Sequence, residues 1–123
     1  MTKIILVVED SLLILDMLST VLRSKGFEVV AAQDGYEALK ILDGRPIDMV
    51  ITDLIMPGLS GMEVARAVRS RSPYQTTPIM MLTTRSDAQV KREGRDSGIT
   101  CWMTKPFVPE HLTTMIRRIL GAD

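Results

Sequence analysis

Glu9-Asp10, Asp53, Thr83-Thr84 and Lys105 each stand at the end of a short, mostly apolar run. Three carboxylates, a hydroxyl and an ammonium brought to one rim would suit phosphoryl chemistry. Carboxylates held close together repel, and a hard divalent cation relieves that repulsion. Mg²⁺ prefers oxygen ligands in octahedral geometry and keeps several waters; Mn²⁺ accepts the same donors, whereas zinc fits them poorly. A metal held by so few protein groups serves an incoming phosphoryl group. The lysine adds a second positive charge and the threonine a neutral hydrogen bond, so that three phosphoryl oxygens are met. One carboxylate could itself attack phosphorus and form an aspartyl phosphate. Taken singly, each residue reads as well as a helix cap or a solvated loop residue. Their shared position argues for a site.

That position demands a particular frame. Ile4 to Val8 is a continuous apolar, β-branched-rich run, as a strand buried on both faces should be. Ser11 can cap a helix from Leu12 to Lys25, in which Ile14, Met17, Leu18, Val21 and Leu22 recur at helical spacing before Gly26. Further strands are expected at Glu28–Ala32, Met49–Ile51, Ile79–Leu82 and Thr100–Met103. Helices are expected from Asp34 or Gly35 to Gly44, from Gly61 to Ser72, from Ser86 or Asp87 to near Gly98, and from Pro109 through Leu120. Five strand–helix units in strict alternation predict an α/β, (βα)5 doubly wound, five-stranded parallel sheet with helices on both faces. In such sheets the crevice lies outside the carboxyl ends of the strands, where the five side chains stand.

Composition narrows the choice. The chain has 123 residues, 46% of them apolar, and as many acids as Lys plus Arg, 15 of each. That suffices for one core, and the neutrality argues against nucleic acid or an anionic membrane as the main partner. The longest apolar run is five residues, Ile4 to Val8, against the roughly 20 of a membrane span. Cys101 and His111 are the only residues of their types, which excludes a disulfide framework and a His- or Cys-rich metal site. Cys101 is expected to be a buried, inert thiol, His111 to face solvent, and the methionines to fill core. Neutrality conceals a split: residues 1–60 carry nine acids and five Lys/Arg, residues 61–123 six acids and ten. An acidic site in the first half and a basic surface in the second would account for it. Other phosphate-binding designs are missing. No G-x-x-x-x-G-K-[ST] string occurs, and Glu9-Asp10-Ser11 stands where a dinucleotide loop or a flavin-phosphate loop would lie.

The pair Glu9-Asp10, the string Asp53-Leu54-Ile55-Met56-Pro57-Gly58-Leu59-Ser60-Gly61, the Leu82-Thr83 turn and Lys105-Pro106-Phe107 stand in the order and spacing of response-regulator receiver domains. The chain resembles that family over its whole length. From Met81 to Leu112 it is similar to single-domain chemotaxis regulators of the CheY type. The resemblance implies a flavodoxin-like, three-layer α/β/α receiver over residues 1–123 with no output domain, cytoplasmic and monomeric. It implies that Asp53 takes a phosphoryl group from a phosphohistidine of a sensor histidine kinase or phosphotransfer domain. Asp10, Asp53 and the backbone carbonyl of Ile55 would bind Mg²⁺, and Glu9 would orient a metal-bound water. Thr83 would bond a phosphoryl oxygen and move on activation together with Trp102 at the aromatic switch position. Lys105 would pair with the phosphorylated Asp53, from a cis Lys105–Pro106 peptide that sets its direction. A relay intermediate, a phosphate sink, or a receiver cut from a larger hybrid protein would carry the same residues. A phosphate-handling hydrolase would need a second acid two residues after Asp53, where Ile55 stands, and the intact Glu9, Asp10, Asp53, Thr83 and Lys105 argue against a degenerate interaction module.

Departures from the family pattern add expectations. Trp102 is larger than the usual Tyr or Phe, which hinders its inward rotation. Ile55 cannot hold an attacking water, and Arg85 could hang a cation over the phosphoryl group; together they predict a long-lived phosphoaspartate. Leu12, Leu13 and Leu15 lie off the core stripe of the first helix and are expected to dock the kinase. The fourth helix, fifth strand and fifth helix, with Arg85, Lys91, Arg92, Arg95, Arg117 and Arg118 on or near them, are the expected face for a downstream protein.

Overall fold

The computed structural model describes residues 2–85 and 87–121. Five strands, β1 (Ile4–Val8), β2 (Glu28–Ala32), β3 (Met49–Thr52), β4 (Ile79–Thr83) and β5 (Cys101–Thr104), form one parallel sheet in the order β2-β1-β3-β4-β5. Between and after them run α1 (Leu12–Ser24), α2 (Gly35–Ile41), α3 (Gly61–Ser70), α4 (Ala88–Ser97) and α5 (Pro109–Leu120). The expected (βα)5 frame is therefore present. The order reverses at β1, so the crevice opens above the carboxyl ends of β1 and β3, whose following helices α1 and α3 cover opposite faces.

The strand pleat sends alternate side chains to two cores. Ile5 and Val7 of β1, Met49 and Ile51 of β3 and Met80 and Leu82 of β4 join Leu15, Leu18 and Leu22 of α1 and Leu112 and Ile116 of α5. Leu6, Val8, Val50, Ile79 and Met81 face Ala38 of α2, Val64, Ala65 and Val68 of α3, and Val90 of α4. Each fully buried aliphatic side chain contributes about 1.5–3 kcal/mol, which makes β1, β3 and β4 the rigid floor of the rim above them.

Helix starts follow the capping side chains. Ser11 accepts from the Ile14 N–H, Asp34 from Glu37, Ser60 from Glu63 and Asp87 from Val90. Ser60 and Glu63 close a full capping box. The alternative cap Ser86 lies outside the described residues. Helix ends differ more from expectation. α2 stops at Ile41 rather than running to Gly44, because the Arg71 guanidinium takes the Leu39 and Leu42 carbonyls at 2.5 and 2.7 Å. α3 stops at Ser70, and Ser72–Tyr74 form a 3-10 turn after an extended Arg71. Pro73 has no N–H to give the Arg69 carbonyl, so α3 cannot run on through it. Arg69 spans the same corner, donating to the carbonyls of Tyr74, Thr77 and Gly98 at 3.1, 2.6 and 2.7 Å.

α1 is turned differently from its predicted orientation. Leu15 is only 7% exposed and packs in the core, whereas Met17 is 49% exposed. Leu15 is thus not part of a docking patch. Cys101 is half-buried, and burial pushes its thiol up to about 11, so it is inert. His111 is exposed, as expected. Among the described residues no helix is long and apolar enough to cross a membrane.

Candidate functional site

The rim above β1, β3, β4 and β5 gathers the predicted residues. Glu9 directly follows β1, and its N–H donates to the Ala32 carbonyl of β2 at 3.0 Å. Asp53 follows β3 and donates to the Val8 carbonyl at 3.1 Å. Thr83 ends β4 and is buried, and its carbonyl accepts from the Lys105 N–H at 2.9 Å. The backbone ladders thus continue one residue past the strands and hold the side chains in place.

Lys105 stands between two acids. Its Nζ donates to Glu9 Oε1 at 2.7 Å and to Asp53 Oδ2 at 2.9 Å. Glu9 is 2% exposed, and its other oxygen accepts from the Ser11 N–H at 2.9 Å. Burial raises the Glu9 pKa above the ordinary carboxylate value, against the lowering contacts with Lys105 and Ser11. Burial pulls Lys105 down, but the bonds and charges of Glu9 and Asp53 outweigh it and leave the ammonium raised. Asp53 Oδ1 accepts from the Leu54 N–H at 2.7 Å.

Glu9, Asp10 and Asp53 each offer one oxygen, and the three lie within 4.8 Å of one another. An all-oxygen donor set with exposed Asp10 at its mouth fits a hard divalent cation that keeps waters. The Lys105–Pro106 peptide is cis. Ile55 is 64% exposed and shares a groove of about 440 Å³ with Arg85 and Val90. Arg85 itself is engaged elsewhere, its guanidinium donating to Asp87 at 3.0 Å. Its N–H donates to Thr83 Oγ1 at 3.3 Å.

Trp102 packs half-buried on the α4 side, not over the rim. A Cβ on Gly94 of α4 would meet its ring at 2.6 Å. Gly94 was not legible as functional, since nothing in a polar helix points to the ring it admits. Gly61 was quoted only as the end of a string. It is the close contact that carries α3 against Asp53. The basic surface is smaller than the charge split suggested. Arg69, Arg71 and Lys105 serve internal bonds, and Arg117 turns to the Lys25 carbonyl at 3.4 Å. Lys91, Arg92, Arg95 and Arg118 remain exposed.

A doubly wound parallel sheet thus carries three acids, a threonine and a lysine at its carboxyl edge, a set suited to phosphoryl chemistry. The family described as the response regulator receiver domain matches residues 5–117, and the chain belongs to it. Among solved structures it is similar to the chemotaxis protein CheY4 of Vibrio cholerae, with 41% identity over 97% of this chain and 99% of that one, at a TM-score of 0.94. The receiver domain of the sensor histidine kinase PA1611 of Pseudomonas aeruginosa, which has a magnesium ion coordinated in its active-site cleft, is 25% identical. It covers 99% of this chain and 100% of that one, with a TM-score of 0.90. The DNA-binding response regulator MtrA of Mycobacterium tuberculosis strain H37Rv is 37% identical over 117 residues, 95% of this chain and 50% of that protein. The chain therefore spans about half the length of the curated relatives it matches.

Proposed function

We propose that Asp53 is the phosphoacceptor of a two-component switch. The observation that carries the reading is Asp53 lying 2.9 Å from Lys105 Nζ, on one rim with Glu9, Asp10 and Thr83. An Asp53 carboxylate oxygen attacks the phosphorus of a partner phosphohistidine; the O–P bond forms as the P–N bond breaks and leaves its electron pair on the imidazole. Asp10, Asp53 and the Ile55 carbonyl would hold Mg²⁺, or Mn²⁺ in its place, and Glu9 would orient a metal-bound water. The ion supplies charge neutralisation between carboxylates and phosphoryl group. Lys105 and Thr83 each meet a phosphoryl oxygen.

Incubation with Mg²⁺ and a small phosphodonor should add one phosphoryl group to the wild type and none to Asp53→Ala, read by intact mass. Turnover without label would indicate a hydrolase, and neither label nor turnover a degenerate binding module. In the same assay Ile55→Asn should lose its label faster than wild type, because an amide at 55 can hold the attacking water. Equal rates would remove the idea that Ile55 prolongs the phosphoaspartate.

The kinase or phosphotransfer domain docks on α1. Leu12 and Leu13 are exposed, the latter 71%, and Met17 joins them. Beside them an apolar groove of about 320 Å³, lined by Ile14, Met17, Pro106 and Phe107, runs up to Lys105. Leu13→Glu and Met17→Glu should slow phosphotransfer from a partner while leaving small-donor labelling and melting unchanged. Leu15→Glu should instead destabilise the fold by about 4 kcal/mol or more.

The downstream target binds the face of α4, β5 and α5, through Lys91, Arg92, Arg95 and Arg118. The likeness to CheY4 over nearly the whole of that chain supports a chemotaxis output. The likeness to MtrA supports a second reading, a receiver that governs transcription.

A further inference from the structure

We infer that the first turn of α2 positions the 54–60 loop, and through it the Ile55 carbonyl, by a reciprocal pair of glycine contacts; its metal consequence rests on the Mg²⁺ reading above. Gly35 and Tyr36 open α2, and Gly58 and Leu59 lie near the end of the loop. A Cβ on Gly35 would meet Leu59 Cβ at 2.6 Å and Val64 Cγ2 at 3.0 Å. A Cβ on Gly58 would meet the Tyr36 ring at 2.8 Å, and Gly58 has φ +82, where glycine is favoured. Each segment therefore offers the other a side chain and a notch.

The loop is packed at its middle by Met56, which is buried in the core. It is tied at its start by Leu54, whose N–H bonds Asp53 Oδ1, and at its end by the Gly61 N–H to the Leu54 carbonyl at 2.8 Å. Between these ties, among the described residues, the backbone of residues 55–59 makes no hydrogen bond. The platform on the other side is firm. Asp34 caps α2 by accepting from Glu37 at 2.8 Å, and the Glu37 carboxylate accepts from the Gln33 N–H at 3.2 Å. Tyr36 is 58% exposed, so its ring buries too little to be explained as core. What it covers is Gly58.

The test is Mg²⁺ titration by calorimetry and amide hydrogen exchange of residues 55–59, on the whole chain. Tyr36→Ala should speed exchange in the loop and weaken Mg²⁺ binding about tenfold, as loss of an outer-shell support does. Tyr36→Phe, which keeps the ring, should bind within about twofold of wild type. Gly26→Ala is the stability control. Its φ of +93 is as unfavourable for alanine, but its surroundings are open and remote, so it should melt lower with unchanged Mg²⁺ affinity. Unchanged loop exchange in Tyr36→Ala overturns the inference whatever the metal does. Faster exchange with unchanged Mg²⁺ affinity overturns its metal half. If the wild type takes up no Mg²⁺, the metal reading falls instead, and the exchange arm still decides whether Tyr36 holds the loop.

Discussion

Gly61→Ala should lower stability by about 3 kcal/mol or more, the upper end for overpacking. Gly61 is the first residue of α3, and its N–H bonds the Leu54 carbonyl. An added Cβ would fall on the Asp53 carbonyl oxygen, with Met81 Sδ at 2.9 Å and Leu54 Cα at 3.0 Å. The Met81 thioether can swing away. The backbone of Asp53 and Leu54 cannot, because Asp53 is held to Val8 by the sheet ladder. The strain must then push α3 off the sheet or displace Asp53. Thermal melting should show a drop of about 10 °C or more. The fraction that folds should accept little phosphoryl label, because the acceptor has moved. A variant that melts with wild type would mean that α3 yields freely, and the role given to Gly61 would fail.

The second large effect is expected from Lys105→Met. The ammonium is the charge partner of two carboxylates, at 2.7 and 2.9 Å. Removing it leaves Glu9 buried beside Asp53 with only the Ser11 N–H to hold its charge. Stability at neutral pH should fall by about 2–3 kcal/mol, the usual cost of unpairing partly buried charges. Lys105 is raised above 10.5 in the fold, so its contribution is complete below that value and is lost only as pH rises through the folded value. Glu9 is raised above 4.5 already; a raised acid favours the fold when protonated, and stability falls as pH rises from 4.5 through its folded value. Without Lys105 the Glu9 pKa rises further and that fall becomes larger. Urea titrations should therefore find the variant nearest wild type in acid and furthest from it at neutral pH. Mg²⁺ should stabilise the variant more than the wild type, since the ion takes over the neutralising role. A deficit that is flat across pH would show that the loss is packing of the lysine stem, not charge.

Local pattern carried much of the fold. Runs such as Ile4–Val8, spacings such as Leu18–Leu22, and caps such as Ser11 and Ser60 act within a few residues, so the strand–helix alternation could be read along the chain. Alternation in turn implies a parallel sheet, and a parallel sheet brings Glu9, Asp53, Thr83 and Lys105 to one edge. Their chemical types did the rest. The site was legible because topology, not side-chain detail, assembles it.

Packing decided what pattern left open. The first turn of α1 is apolar nearly all round, so its rotation was underdetermined; contact with the sheet and α5 buried Leu15 and exposed Met17. Arg69 and Arg71 look like surface charge in sequence, yet they hold carbonyls up to 32 residues away. Lys105 meets Glu9 across 96 residues, Tyr36 covers Gly58, and Trp102 fills the space that Gly94 leaves. None of these pairs shares a helical turn or a strand register, so no local preference encodes them. Residue type and short-range spacing determined which side chains reach the rim; the close packing of helices on a finished sheet decided which of them touch.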